Sequence, residues 1–257
     1  EHPSHKLKLV GVTGTNGKTT TTGLAGEIMA SRFSDVRVTG NIGAPLIREV
    51  VTSGRDTVFV TEVSSFQLEA CSTLKPHIAV VLNVRPDHLE RHGTMQAYAA
   101  AKRKLIEKQD AGDFAVLNAD DPFVREMSSH TGAALMWLGA RGGVESGGFV
   151  GDGRLIARTG RGEAIIGEVE KMSLIGEHNH CNALAAGLSG LLMGVPAENV
   201  KDKVESFKGY PHRIEKVAEI GGVVYINDSK STNTDSTLAA ISALCARPLI
   251  LILGGDD

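Results

Sequence analysis

The chain has 257 residues, 42% apolar and 22% charged, with 27 basic against 30 acidic side chains and a net charge of −3. That composition suits a globular protein with a substantial core and argues against disorder. It contains no Lys/Arg block to track a nucleic-acid backbone, no basic arm for a membrane surface and no apolar run of bilayer length. A cytoplasmic protein with small-molecule partners is expected, with no nucleic acid, no membrane and a monomeric state. Cys71, Cys181 and Cys245 are far apart and lack metal-binding spacing, so they read as reduced thiols.

In chain order, Leu7–Val12 reads as a strand and Lys18–Ser31 as a helix, with VTGTNGKTTTT running between and into them. A strand, a glycine-rich loop and a helix form the setting of a phosphate loop. Backbone N–H groups from Gly14, Thr15, Asn16 and Gly17 to Lys18, Thr19 and Thr20 would hold phosphate oxygens at the helix N-terminus. The Lys18 ammonium would reach the outer phosphates, and the Thr19 hydroxyl would bind Mg²⁺. The spacing departs from the general pattern, which puts a glycine five residues before Gly17; Val12 stands there, and the nearby glycines are Gly11 and Gly14.

Strands are then expected at Thr57–Val63, Ile78–Val84 and Ala115–Asn118, and helices at Ala44–Thr52, Thr94–Gln109 and Pro122–His130. Asp121 is the N-cap of the last helix, with Pro122 at its first position. This alternation predicts a parallel α/β sheet covered on both faces, whose ligands gather beyond the carboxyl ends of the strands. Glu62, in TEVSSFQLE, ends one strand, where a carboxylate can serve Mg²⁺ or cap a helix. Asp87 and His88 follow another strand, although a lone histidine is more often a structural hydrogen-bonding group. Lys102 sits beside Arg103 and Lys104, and composition does not single it out.

Ten of the thirty glycines fall between Gly139 and Gly167, a density that suits tight hairpins, so Leu135–Leu174 is expected to form a small antiparallel lobe. Helices follow at Asn182–Met193 and Ala197–Phe207. Asn179 and Asn182, three apart at a helix start, can hydrogen-bond a planar base edge or cap the helix. After Gly209-Tyr-Pro a second unit is expected, with strands Ile214–Ile220 and Val223–Ile226, helix Thr234–Leu244 and strand Leu249–Leu253. Arg213 stands at its entrance, ready to contact phosphate. Asp228, Lys230, Thr232 and Asn233 crowd the loop NDSKSTN. The chain begins without Met and ends just after an apolar strand pattern, so a fragment is expected.

Together these segments resemble the Mur ligase family, ATP-dependent amide-forming enzymes of peptidoglycan synthesis. GVTGTNGKTT is similar to the family's own loop, in which a glycine stands two residues before a TGTNGK core. TEVSSFQLE and NDSKSTN are similar to the branch of the family that adds D-glutamate. The resemblance implies three domains. Residues 1–209 correspond to the central ATP-binding domain and 210–257 to the start of a Rossmann-like C-terminal domain.

It also implies roles. Lys18 and the loop from Gly14 to Thr20 bind ATP phosphates; Thr19 and Glu62 serve one Mg²⁺. His88 serves a second, and Lys102 matches the family's carbamylated lysine. Asn41 and Ser64 match contacts to the muramoyl substrate, with Lys230 and Thr232 also on the substrate side. Asn179, Asn182, Arg213 and Asp228 match ATP-side contacts. The implied reaction activates the carboxylate of UDP-N-acetylmuramoyl-L-alanine as an acyl phosphate, which D-glutamate then attacks. The lysine expected shortly after LGGD is absent, Asp257 holding the next place. Competing readings are another amino-acid-adding Mur ligase, a folylpolyglutamate synthase relative (expected to carry GKGS in its loop), a P-loop kinase or GTPase, and a non-catalytic ATP-binding piece.

Overall fold

The structure is a computed structural model and describes residues 8–139, 143–246 and 248–254. Leu7 and Asp257 lie outside the described residues. In chain order the first half comprises β1 (Lys8–Thr13), α1 (Lys18–Ala30), β2 (Val36–Gly40), α2 (Leu46–Val51), β3 (Val58–Glu62), α3 (Ser65–Ala70), β4 (Ile78–Val81), α4 (Leu89–His92), α5 (Met95–Arg103), β5 (Phe114–Asn118) and α6 (Pro122–Glu126). There follow β6 (Ala134–Gly139), β7 (Gly147–Gly151), β8 (Arg154–Thr159), β9 (Gly162–Glu168), α7 (Glu177–Leu192), α8 (Ala197–Ser206), β10 (Glu215–Ile220), β11 (Val223–Asn227) and α9 (Thr234–Leu244).

Nine strands form one sheet in the order β2-β3-β1-β4-β5-β6-β7-β8-β9. Strand β1 is apolar and buried along nearly its whole length, and it pairs parallel with β3 on one side and β4 on the other. The chain therefore leaves β1 at a topological switch point, where an open α/β sheet has its crevice. Val10, Val12, Val60 and Val80 pack with Leu24 and Ile28 of α1 and Leu184 and Leu188 of α7 in one core. Ala79 and Val81, of opposite parity on β4, pack with Leu68, Tyr98 and Val124 from α3, α5 and α6 in the second. The period-two alternation of a strand thus divides the side chains of β4 and β5 between two cores.

The parallel α/β architecture, the flanking helices and the antiparallel strands are as expected. The differences are local. Strand β2 was not anticipated: it is a half-buried edge whose Arg37 hydrogen-bonds Asp35, Glu49 and Thr52, so it lacks the apolar run of a central strand. The helix expected over Thr94–Gln109 ends at Arg103 and gives way to turns. Strand β6 pairs parallel with β5, and β7–β9 extend the same sheet rather than standing apart as a lobe. Met136 and Leu138 of β6 belong to the core beneath α7, which draws that strand into the parallel part. Helix α7 begins at Glu177, five residues before the expected start at Asn182.

Beyond α8, β10 and β11 form a separate antiparallel pair and α9 follows as expected. Leu249–Leu253 is not a strand: Ile250 and Ile252 are each 90% exposed, and no described strand lies alongside to supply a ladder. Tyr210 packs against α1 at Gly23, where an added Cβ would stand 1.9 Å from Tyr210 Oη. Gly23→Ala is expected to push Tyr210 off the helix and cost about 1–3 kcal/mol through overpacking, read as a lower denaturant midpoint at unchanged slope.

Candidate active site

The phosphate-loop segment is held from below by Asn83, just beyond β4. Thr15 N donates to Asn83 O (3.0 Å), Asn16 N to Asn83 Oδ1 (2.8 Å), and Asn83 Nδ2 donates back to Asn16 O (3.1 Å). Gly17 has φ +85°, and a Cβ there would lie 2.2 Å from Asn182 Oδ1, so the loop needs glycine both for its turn and for the approach of α7. The Lys18 ammonium curls back to donate to Gly14 O (2.9 Å) and Thr15 O (2.8 Å).

A polar centre lies beneath the loop. Glu62, 2% exposed at the end of β3, accepts from Thr19 Oγ1 at 2.9 Å and from Asn41 Nδ2 at 2.8 Å. Lys102, 1% exposed on α5, donates to Gly14 O at 2.8 Å and lies 4.3 Å from the Tyr98 ring centroid. Two ammonium groups thus converge on one carbonyl. Burial, with Lys18 beside it, holds the Lys102 pKa well below the usual lysine range. Burial lowers that of Lys18 too, against the raising effect of Glu62 and Asp87. Burial pushes the Tyr98 phenol up to about 12, so it stays neutral, its hydroxyl 3.3 Å from Thr15 Oγ1.

On the other side of the loop a cavity of about 770 Å³ opens between α7, the loop after β5 and the segment from Gly209 to α9. Asn16, Gly17, Thr20, Asn182, Arg213 and Asp228 line it, together with Asn179. The two α7 amides are engaged within the fold: Asn182 Nδ2 donates to Asn179 Oδ1 (3.0 Å), and Asn179 Nδ2 to Ile175 O (2.8 Å). Arg213 Nη2 reaches Thr19 Oγ1 at 3.4 Å. His212 and Ile214, on either side of Arg213, both have positive φ, a conformation unfavourable for a β-branched residue. Asp228 holds it by accepting from Ile214 N at 3.0 Å.

The sequence-predicted residues therefore fall into two groups, which touch where Arg213 Nη2 reaches Thr19 Oγ1. Lys18, Thr19, Glu62, Asn41 and Lys102 meet beneath the loop, while Asn179, Asn182, Arg213 and Asp228 line the cavity. Ser64 caps α3, its Oγ accepting from Gln67 N. His88 starts α4, with its ring 5.0 Å from that of Phe66. Lys230 and Thr232 are exposed on the loop before α9 and do not line the cavity. Residues that the sequence reading passed over are Arg85, Tyr98 and Asp235; Asp121 caps α6 as expected, its Oδ1 accepting from Val124 N. Tyr98 was legible, standing four residues before Lys102 on one helix face.

Asp235 Oδ2 accepts from Asn16 Nδ2 (3.1 Å), Asn233 Nδ2 donates to Asn16 Oδ1 (3.2 Å), and Arg85 Nε lies 3.5 Å from Asp235 Oδ1. These contacts seat the start of α9 on the loop. Asp121 is fully buried, accepting from Val84 N, Val124 N and Arg85 Nη1 at 2.9, 3.1 and 2.6 Å. Removing its carboxylate orphans two buried N–H groups; Asp121→Ala should cost about 3 kcal/mol in chemical denaturation.

Among the described residues no helix is long and apolar enough to cross a membrane. Residues 12–190 match the family model described as "Mur ligase middle domain". The chain is 45% identical over 249 residues to the UDP-N-acetylmuramoylalanine–D-glutamate ligase of Pelotomaculum thermopropionicum, covering 97% of this chain and 54% of that protein. It is 42% identical to the ligase of the same name from Koribacter versatilis, covering 99% and 55%. The chain thus spans about half the length of these curated relatives. Among solved structures, MurF from Acinetobacter baumannii superposes with a TM-score of 0.75 at 22% identity, covering 94% of this chain and 55% of that one. MurF from Thermotoga maritima in complex with ADP gives 0.71 at 24%, covering 95% and 58%. Matched by its family model over most of its length, with that fold and that loop, the chain belongs to the Mur ligase family.

Proposed function

We propose that the full-length protein carrying this chain joins D-glutamate to UDP-N-acetylmuramoyl-L-alanine, with ATP converted to ADP and phosphate. The observation that carries this reading is identity of 45% and 40%, over 97% and 98% of the chain, to relatives named for that ligation. The ADP-bound MurF relative of the same fold supports the choice of nucleotide. Residues 1–209 would act as the ATP-handling unit and 210–257 as part of a second, Rossmann-like unit.

The loop from Gly14 to Thr20 would hold the phosphates through backbone N–H groups. Lys18, now on two loop carbonyls, would turn to the outer phosphates. Asn179, Asn182, Arg213 and Asp228 would border the nucleoside in the cavity. Asn41 and Ser64, beyond the ends of β2 and β3, would face the muramoyl substrate, with Lys230 and Thr232 closing on it from the second unit. The substrate carboxylate takes the γ-phosphoryl group, and the amine of D-glutamate then displaces phosphate. Holding both reactants on one scaffold is worth about 7 kcal/mol or more of the barrier.

The donor set fits Mg²⁺. Thr19 Oγ1 and Glu62 Oε2, 2.9 Å apart, are hard oxygen donors at the loop's end. Among the described residues no three His, Cys, Asp or Glu side chains could hold a metal by themselves. That suits an ion bound by one or two carboxylates plus substrate phosphates. A second ion would use His88 and Lys102, provided that Lys102 is carbamylated; as an ammonium it repels metal. Its depressed pKa supplies the free amine that carbamylation needs. Bound Mg²⁺ offsets the phosphate charge that would otherwise repel the incoming carboxylate.

The test is substrate dependence in the full-length protein: ADP release should require both D-glutamate and UDP-N-acetylmuramoyl-L-alanine. Turnover with a different amino acid and none with D-glutamate would overturn the reading. The 257 residues alone, about half of the relatives' length, are expected to bind ATP·Mg without forming the amide, which calorimetry and a ligation assay on the same sample would check.

A further inference from the structure

His92 closes α4, and its side chain is 2% exposed. Its Nδ1 lies 3.1 Å from Glu69 Oε1 and its Nε2 3.0 Å from Ser65 Oγ. An ionised carboxylate only accepts, so in the neutral ring Nδ1 carries the proton and Nε2 accepts the Ser65 hydroxyl. Serine, imidazole and carboxylate stand in the order of a hydrolytic triad. Ser65, however, is only 3% exposed. Phe66 stacks on the His92 ring at 5.6 Å and 7°, and Tyr98 packs against it at 4.8 Å. A substrate has no way to the serine, so the group's work is mechanical.

What the ring connects is specific. Ser65 is bonded to Ser64, the cap of α3. Phe66 also meets the His88 ring at 5.0 Å. Tyr98 lies 4.3 Å from Lys102 Nζ and, through its hydroxyl, 3.3 Å from Thr15 of the phosphate loop. Ser64, His88, Lys102 and Thr15 are therefore each within two or three steps of one imidazole. The nucleoside cavity lies across the loop and is not lined by His92.

We propose that His92 is a positioning residue for ligation: it locks α3 to α5 so that Ser64, His88 and Lys102 keep one geometry relative to the phosphate loop. The inference rests on the ligase reading. It places the burden on alignment of the muramoyl carboxylate with the γ-phosphate and leaves nucleotide binding to the other side of the loop. Misalignment of reacting groups by about 1 Å costs on the order of 10²-fold in rate.

The experiment uses the full-length protein with His92→Ala, His92→Gly and Ser65→Ala. For His92→Ala, kcat should fall about 10²-fold while the KM for ATP stays within about threefold. Ser65→Ala removes only the hydroxyl on Nε2 and hardly changes volume. It should lower kcat about tenfold at unchanged ATP KM, which keeps the test open if His92→Ala fails to fold. Imidazole in the buffer should return about tenfold of the lost kcat to His92→Gly by refilling the vacated space. The proposal is overturned if folded variants keep kcat within about twofold of wild type, or if kcat, ATP affinity and melting temperature fall together without response to imidazole. If the wild-type protein turns over another amino acid and not D-glutamate, the substrate reading fails. The ratio of variant to wild-type kcat on that amino acid then still decides the role of His92.

Discussion

Exchanging Lys102 for methionine is expected to lower turnover about 10²–10³-fold and, in the same protein, to raise the melting temperature. The two effects have one origin. Lys102 is buried with Lys18 beside it and with a carbonyl, not a carboxylate, as its hydrogen-bond partner. A buried cation without a paired anion weakens the fold, and an apolar residue of similar volume relieves that by about 1–2 kcal/mol. Gly14 O is not orphaned, because Lys18 continues to donate to it.

The pH dependence has a defined sign. The folded-state pKa of Lys102 lies below 10.5, so between the two values the unfolded chain binds more protons. Stability should therefore rise with pH through that window. Lys18 contributes in the same direction. Tyr98 acts oppositely above pH 10, since its folded pKa of about 12 makes the folded state hold the extra proton. Urea unfolding between pH 7 and 10 should show the rise in wild type and a smaller one in Lys102→Met; an equal slope in both would remove Lys102 as its source. Lys102→Ala should regain part of its turnover with acetate or bicarbonate if the active form is a carboxylate on this arm, and a lack of response would count against carbamylation.

Glu62→Gln is the second large effect, and here stability and activity should part. Glu62 is buried, with Asn41 Nδ2 donating to one oxygen and Thr19 Oγ1 to the other. In the glutamine variant the amide oxygen can keep the Asn41 bond, while the amide N–H donates to Thr19, whose hydroxyl can accept. The fold should lose about 1 kcal/mol. The negative charge beside Lys18 and the carboxylate proposed to serve Mg²⁺ both disappear. ATP-dependent turnover should drop about 10²–10³-fold, and the Mg²⁺ concentration for half-maximal rate should rise about 10–100-fold. Titrating Mg²⁺ at saturating ATP distinguishes the two terms. An unchanged Mg²⁺ midpoint would place the ion elsewhere.

The candidate site was unevenly legible, for reasons visible in individual residues. Gly17-Lys18-Thr19 announces itself because a phosphate loop is local: one short stretch supplies the turn, the amides and the ammonium. Glu62 was legible as the end of a strand. Lys102 was not, since AAAKRKL gives it the same company as Arg103 and Lys104. Arg103 pairs with Glu107 at the surface, and Lys104 reaches Glu69 O, whereas Lys102 is 1% exposed. Only the resemblance of the whole segment to the family marked it out. Asp235 and Arg85 were invisible for another reason: 150 residues separate the two partners, and only folding brings them together.

The sequence by itself determined the alternation of strands and helices, the loop and its glycines, and the family. These are encoded by spacing, turn chemistry and periodic burial, which act over a few residues. The tertiary structure decided that β6 joins the parallel sheet, that Leu249–Leu253 forms no strand, and that Asn182 donates to Asn179 while Asn179 donates to Ile175 O. It also decided which of three adjacent basic residues is buried beneath the loop, and that His92 stands between α3 and α5. These outcomes depend on which surfaces meet. Burial, desolvation and hydrogen-bond partnership are properties of neighbours brought together by folding, not of a residue's place in the chain.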